Sequence, residues 1–153
     1  MREFSWGLRV YYEDTDLAGI VYYANYLRYM ERARTEWLRA VGCEQDELLA
    51  TSGVVFVVVR ASLEYKSPSR FNDVLVVDVD VTSLGRASVV VRQEIHRAVS
   101  SIEPGVIPEA MRAGGAVAEQ VCIGEIRIAC VDAKTLYPRP IPQFIYSELS
   151  REC

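Results

Sequence analysis

The run NYLRYMERARTEWLRAV, Asn25 to Val41, is the one long stretch of this chain with a helical period, and it decides the fold. Tyr26, Met30, Ala33, Trp37 and Val41 recur every three or four residues, with Leu27 and Leu38 beside them. Arg28, Glu31, Arg32, Glu36 and Arg39 fill most of the remaining surface. Apolar residues on one stripe and charges on the other make an amphipathic helix. Gly42 supplies the stop. At 1.5 Å per residue the helix is about 25 Å long, enough to lie along a sheet.

Outward from this helix every other clear pattern has a period of two. Phe4, Trp6, Leu8, Val10 and Tyr12 alternate with Ser5, Gly7, Arg9, Tyr11 and Glu13, as in a half-buried strand. A polar segment from Glu44 to Ser52 follows the helix. Strand patterns then run from Val54 to Lys66, Val74 to Thr82, Ser88 to Arg97 and Gln120 to Val131, with Asp78 and Asp80 directed outward and Leu84-Gly85-Arg86 as a turn. The expected class is α+β, in which a long central helix is wrapped by a five-stranded antiparallel sheet. An open edge strand would invite pairing with a second copy. The whole chain, 1–153, is expected to form one domain. Residues 99–119 hold Pro104, Gly105, Pro108, Gly114 and Gly115 and read as a long loop, with room for one helical turn at Pro108 to Arg112. Residues 133–153, with Pro138, Pro140 and Pro142, read as an irregular tail.

Composition narrows the functions. Of 153 residues, 50% are hydrophobic and 25% charged, a globular balance. The net charge is −4 and no basic run exists, which argues against binding nucleic acid through phosphates. The longest apolar run, Val54 to Val59, is far too short to span a membrane, and Met1 to Trp6 lacks the apolar run of a signal peptide. The expected location is cytoplasmic. Cys43, Cys122, Cys130 and Cys153 show neither C-x-x-C spacing nor a paired histidine, so no metal is expected; Cys122 and Cys130 share one strand face, as small core residues do. His96 is the only histidine and reads as a solvated strand residue, which removes Ser-His-Asp and Cys-His chemistry.

The chemistry concentrates just before the helix, in Asp14-Thr15-Asp16-Leu17-Ala18-Gly19-Ile20-Val21-Tyr22-Tyr23-Ala24-Asn25-Tyr26. Two carboxylates, a glycine and a run of aromatics stand where backbone N–H groups have no intrahelical partners. Such groups bind a developing oxyanion, and a carboxylate beside them suffices to attack an acyl carbon. Gly19 permits the tight turn that aims Asp16 at that spot.

Tyr12 to Asp16, Gly19 to Tyr26 and Tyr29 to Arg34 together resemble the signature of hotdog-fold acyl-CoA thioesterases of the 4-hydroxybenzoyl-CoA thioesterase family, and within it the Tol-Pal-associated branch. The similarity continues through Tyr65 to Asp73 and Cys130-Val131-Asp132 and covers nearly the whole chain. The resemblance implies the hotdog fold, with a helix wrapped by an antiparallel sheet. It implies a homodimer or homotetramer whose active sites lie at the subunit interface. It places the catalytic aspartate at Asp16 and the oxyanion donor at the N–H of Tyr23. The substrate implied is an acyl-CoA, so that CoA enters as part of the substrate and no separate cofactor is needed. Asp16 can attack the thioester carbonyl to give a mixed anhydride, or deprotonate a water; the residues do not separate nucleophile from general base.

Other residues carry two readings each. Asp-x-Asp before glycine is also an ordinary turn, and Asp14 reads as structural. As a phosphoaspartate or cation site the pair would need a parallel sheet, which the strand pattern opposes. Gly19, Val21, Tyr22, Asn25, Tyr26, Lys66 and Arg70 are the candidate substrate-binding residues. Tyr22, Tyr23 and Tyr26 either line an acyl pocket or belong to the core. Asn25 either caps the helix or orients Asp16. Glu31 either supports the site or pairs with Arg28 or Arg34. Lys66 and Arg70 either hold CoA phosphates or are solvated turn charges. Asn72, where the family often has glycine, tolerates positive φ. The loop 99–119 departs from the family, whose members connect these strands more tersely. A non-catalytic hotdog protein that binds an acyl chain, an acyl carrier or a cell-envelope partner is the competing function. Acyl length, aromatic against aliphatic preference and CoA against acyl-carrier substrate stay open.

Overall fold

The computed structural model describes residues 4–98, 105–106 and 117–151. The long apolar-striped run forms helix α1, Asn25–Ala40, and buries Tyr26, Tyr29, Met30, Ala33, Trp37 and Leu38. Around it lie β1 (Phe4–Arg9), β2 (Val54–Tyr65), β3 (Val74–Leu84), β4 (Ser88–Ala98), the two-residue β5 (Gly105–Val106) and β6 (Val117–Asp132). They form a single antiparallel sheet in the order β2-β6-β4-β3-β1-β5, so the five long strands match the expected sheet. β2 is an outermost strand. It carries Val58 and Val59 more than half exposed, while its other edge pairs with β6.

The sheet turns its apolar face to α1. Leu75, Val77 and Val79 of β3, Val89, Val91 and Ile95 of β4, and Cys122, Ile126, Ile128 and Cys130 of β6 are buried in one cluster with the α1 stripe. Met30 packs so close to β6 that a Cβ on Gly124 would stand 2.7 Å from its Sδ and Cε. The glycine leaves room for the end of the Met30 side chain, which would have to shift to admit a Cβ.

Five expectations need correction. The segment 99–119 is not all loop: Gly105–Val106 pairs with β1 as β5, and β6 already begins at Val117 because it pairs with the end of β4. Glu44 to Ser52 is not merely polar linker: Gln45–Ser52 is helix α2, held by one buried residue, Leu48, and ended by Gly53 at φ +66. The tail is not irregular throughout, because Gln143–Ser150 forms helix α3 directly after Pro142. Ile145 and Leu149, four apart, are both fully buried there, and that burial overrides the proline-rich lead-in. The first strand ends at Arg9; Tyr12 begins a 3-10 turn to Asp14 and is 81% exposed. Asp78 does face away from α1, yet it is only 9% exposed and accepts the Ser5 hydroxyl from the paired β1. The proposed helical turn at Pro108 to Arg112 lies outside the described residues.

Candidate active site

The loop carrying the two carboxylates is built on its own backbone. The Asp16 N–H donates to Ile20 O (2.9 Å), and the Gly19 N–H returns to Asp16 O (2.9 Å). Gly19 sits at φ +79 with open space around a would-be Cβ, so it is needed for its dihedral and not for room. Asp16 is exposed, and its Oδ1 accepts the Ala18 N–H at 2.9 Å. Asp14 is the opposite case. It is 7% exposed, its carboxylate accepts the Tyr11 N–H at 2.9 Å, and its carbonyl accepts two donors, Tyr22 N–H at 2.9 Å and Asn25 Nδ2 at 2.8 Å. Asp14 is therefore the knot between the loop and the start of α1. Asn25 does not cap the helix: Ala24 is the cap position, with no side-chain bond.

Below the knot, Tyr29 is fully buried, and its hydroxyl has no hydrogen-bond partner among the described residues. Burial pushes this phenol well above its usual range, and the nearby Asp14 carboxylate pushes it in the same direction. Tyr29 stays neutral. Arg32 sits 5.8 Å from the centre of its ring.

At the helix start the Tyr22 carbonyl accepts the Asn25 N–H at 2.9 Å, and the Ala24 carbonyl accepts that of Leu27. The N–H groups of Tyr23 and Ala24 have no partner among the described residues. They are the free donors of a helix N-terminus, where the macrodipole favours negative charge. The loop is fastened from the other side as well. Val21 N–H donates to Ser69 O at 2.8 Å, and Ile20 bridges to Arg70.

An aromatic wall follows. Tyr23 and Tyr26 meet Tyr65, the last residue of β2, with ring centres 6.1 and 5.7 Å apart. Tyr22 stacks on Tyr23 at 4.9 Å, and Tyr26 also meets Tyr29. A cavity of about 380 Å³ opens here, lined by Ile20, Val21, Tyr23, Tyr26, Tyr65, Lys66, Ser67 and Pro68. Tyr26 is 4% exposed and so is both core and cavity wall, while Tyr23 is 60% exposed. The Tyr22 phenol is raised first by its Tyr23 neighbour, then by burial, then by the Asp16 carboxylate. Asp16 is not among the residues lining the cavity. A separate opening of about 430 Å³ has Asp14, Arg32, Trp6 and Leu8 in its wall.

The structure thus gathers Val21, Tyr23, Tyr26 and Lys66 at one cavity, with Gly19, Tyr22 and Asn25 in the adjoining loop and helix start. Lys66 Nζ is 2.9 Å from Glu64, in an exposed pair. Arg70 meets the loop through its backbone, and its own N–H donates to Asp73. Asn72 takes φ +72, the conformation its residue type allows. Glu31 pairs with neither arginine by contact; it accepts the Thr35 hydroxyl. Arg34 is buried and bonds the fully buried Gln93, which in turn donates to Met30 O. His96 is half-buried on the outer sheet face. Its nearest ring nitrogen and carboxylate oxygens of Asp78 and Glu94 lie within 4.8 Å of one another, and Glu94 also accepts from Arg92 and Gln120. The residues that sequence reasoning missed are Tyr65 and Tyr29. For Tyr65 the signal was parity, since it shares a face with Leu63 two residues before it; for Tyr29 it was the helical spacing to Tyr26 and Ala33.

Comparison with known proteins bears on this geometry. Residues 18–101 match the Thioesterase superfamily. The chain is 36% identical over 148 residues to "Acyl-CoA thioester hydrolase YbgC" of Escherichia coli O6:H1, covering 97% of this chain and 96% of the relative. It is 31% identical over 140 residues to "Acyl-CoA thioesterase YbgC" of Haemophilus influenzae, covering 92% and 89%. Among solved structures it superimposes on an aspartate-to-asparagine mutant of 4-hydroxybenzoyl-CoA thioesterase complexed with 4-hydroxybenzoyl-CoA. The TM-score is 0.81 at 20% identity, covering 97% of this chain and 99% of the other, a likeness of fold.

Proposed function

This chain belongs to the thioesterase superfamily and is a thioester hydrolase, and from that premise we propose that it cleaves an acyl-CoA to the free acid and CoA with Asp16 as its reactive carboxylate. The observation that carries the reading is the pair of free N–H groups at Tyr23 and Ala24. They stand at the start of α1, beside an apolar cavity and next to the loop that presents an exposed Asp16. The acyl group lies along Tyr23, Tyr26 and Tyr65 with its carbonyl oxygen toward those donors. As the tetrahedral intermediate forms, the donors and the helix dipole take up its negative charge. In one route the Asp16 carboxylate forms the new bond to the acyl carbon, the C–S bond breaks, CoA leaves as thiolate, and water opens the resulting anhydride. In the other, Asp16 takes a proton from the water that attacks. CoA is substrate and not a resident cofactor. Lys66 and Arg70 are proposed to meet its phosphates.

The open edge of β2, with Val58 and Val59 exposed, supports a homodimer or homotetramer in which the partner closes the site near Tyr65. Among the described residues no helix is long and apolar enough to cross a membrane, and a cytoplasmic location is proposed. The test is thiol release from acyl-CoAs running from acetyl to palmitoyl plus benzoyl and hydroxybenzoyl, with Asp16→Asn in parallel. The exposed carboxylate is not needed for folding, and asparagine keeps an oxygen for the Ala18 N–H. Turnover should therefore fall by roughly 10²-fold or more at unchanged stability. Near-normal turnover in the variant would sink this mechanism. No release from any substrate would favour an acyl- or carrier-binding protein, a reading consistent with Asp16 lying outside the cavity wall.

A further inference from the structure

We propose that Tyr65 is a positioning residue for the oxyanion site, acting through the hydroxyl bond it donates to the Tyr23 carbonyl at 3.2 Å. This rests on the function proposed above. In a trans peptide the carbonyl and the following N–H point in opposite directions and turn together. A donor that holds the Tyr23 carbonyl therefore fixes the direction of the Ala24 N–H, one of the two free donors. The same bond limits rotation at Tyr23, whose own N–H is the other. A carbonyl that accepts a hydrogen bond also polarises its peptide, which strengthens the N–H on the far side.

The neighbouring peptide is held the same way from within α1. The Tyr22 carbonyl accepts the Asn25 N–H, which sets the Tyr23 N–H. Among the described residues the Tyr23 carbonyl is instead held by a side chain from another element, at the end of the open edge strand β2. The Tyr65 ring is seated independently of its hydroxyl by edge-on contact with Tyr23 and tilted contact with Tyr26. Loss of the oxygen alone should leave the ring in place. Burial raises the Tyr65 phenol above its ordinary value, with Cys122, Tyr23 and Tyr26 adding to this, so it remains a donor through neutral pH.

The experiment compares wild type, Tyr65→Phe and Asp16→Asn in steady-state thiol release. It adds equilibrium binding of a non-hydrolysable thioether analogue of the best substrate, and the amide resonances of Tyr23 and Ala24 in labelled protein. For Tyr65→Phe the expected result is a fall in kcat of roughly three- to thirtyfold, below the loss from deleting an oxyanion donor outright. KM, thioether binding and melting temperature should not change, and the Ala24 amide should shift. Three results would overturn the inference: kcat equal to wild type, a loss confined to KM and thioether binding, or an unmoved Ala24 amide. The amide measurement needs no turnover. A wild type that releases no thiol therefore refutes the acyl-CoA reading by itself, while the amides still judge the Tyr65 contact.

Discussion

The side-chain amide of Asn25 donates a 2.8 Å hydrogen bond to the main-chain carbonyl of Asp14, eleven residues earlier. The first residue of α1 thereby grips the loop that carries Asp16. The Asp14 carbonyl keeps its second donor, the Tyr22 N–H, when Asn25 is removed. Asn25→Ala should thus cost about 1 kcal/mol in a denaturant melt, the usual net worth of one such bond. The loop would keep its fold and lose its register against the helix, so kcat is expected to fall about tenfold. Asn25→Asp sets an oxygen against an oxygen and should be worse than alanine on both measurements. If Asn25→Ala matches wild type in kcat, the backbone bonds alone hold the loop.

The edge strand makes a second prediction. Val59 is 55% exposed on β2, so Val59→Lys disturbs nothing within one chain. A charge on an open edge blocks strand pairing with another molecule. Light scattering is expected to report the mass of one chain, with circular dichroism unchanged and thiol release lost, because the site would lack its neighbour. A variant that keeps both its assembly and its activity would place the interface elsewhere.

How much of this was legible beforehand depends on which force decides each residue. The α1 stripe, the parity of the strands and the turn at Asn72 follow from side-chain period and local conformational freedom, and all three are found. Asn72 could be foreseen because asparagine itself tolerates φ +72. Helix α3 was hidden because Pro138, Pro140 and Pro142 dominate the local pattern, whereas the burial of Ile145 and Leu149 that decides it comes from the distant sheet. Asp78 was read by parity alone, which is blind to the Ser5 partner that β1 supplies seventy-three residues away. In the site, the Asp16 loop and the helix start were readable as a motif. Tyr65 was not, since its bond to Tyr23 exists only once β2 ends beside α1.

The thiols give a pH prediction. Burial raises Cys43 to about 11 and Cys122 to about 12 in the folded chain. In the unfolded chain both ionise near 9, so above that pH the unfolded state holds fewer protons than the native state. Stability contributed by the protonated thiols is complete below about pH 9 and drains away as pH rises toward 12. Urea midpoints should fall between pH 8 and pH 10.5. Replacing Cys122 with alanine should lower the midpoint at pH 8 by opening a small cavity, and it should also flatten this alkaline slope. Native protein is expected to resist a thiol reagent at Cys43, Cys122 and Cys130, which are all buried, until denaturant is added. Rapid labelling of Cys122 in native protein would contradict the assignment.

Leu136 holds φ +63 while 63% exposed, in the turn after β6 where its N–H donates to Asp132 O. A branched side chain in the left-handed region costs roughly 1–2 kcal/mol, and here no burial offsets it. Glycine adopts the same dihedral without the Cβ clash but adds freedom to the unfolded chain, which returns part of the gain. Leu136→Gly should therefore stabilise the fold by about 0.5–1 kcal/mol, read as a higher urea midpoint at unchanged slope. Asn72 is the control at φ +72. Asn72→Ala should destabilise by about 1 kcal/mol, because alanine loses the tolerance that asparagine has for this region. If both substitutions lower the midpoint, the Leu136 side chain is held by a contact that outweighs its backbone strain.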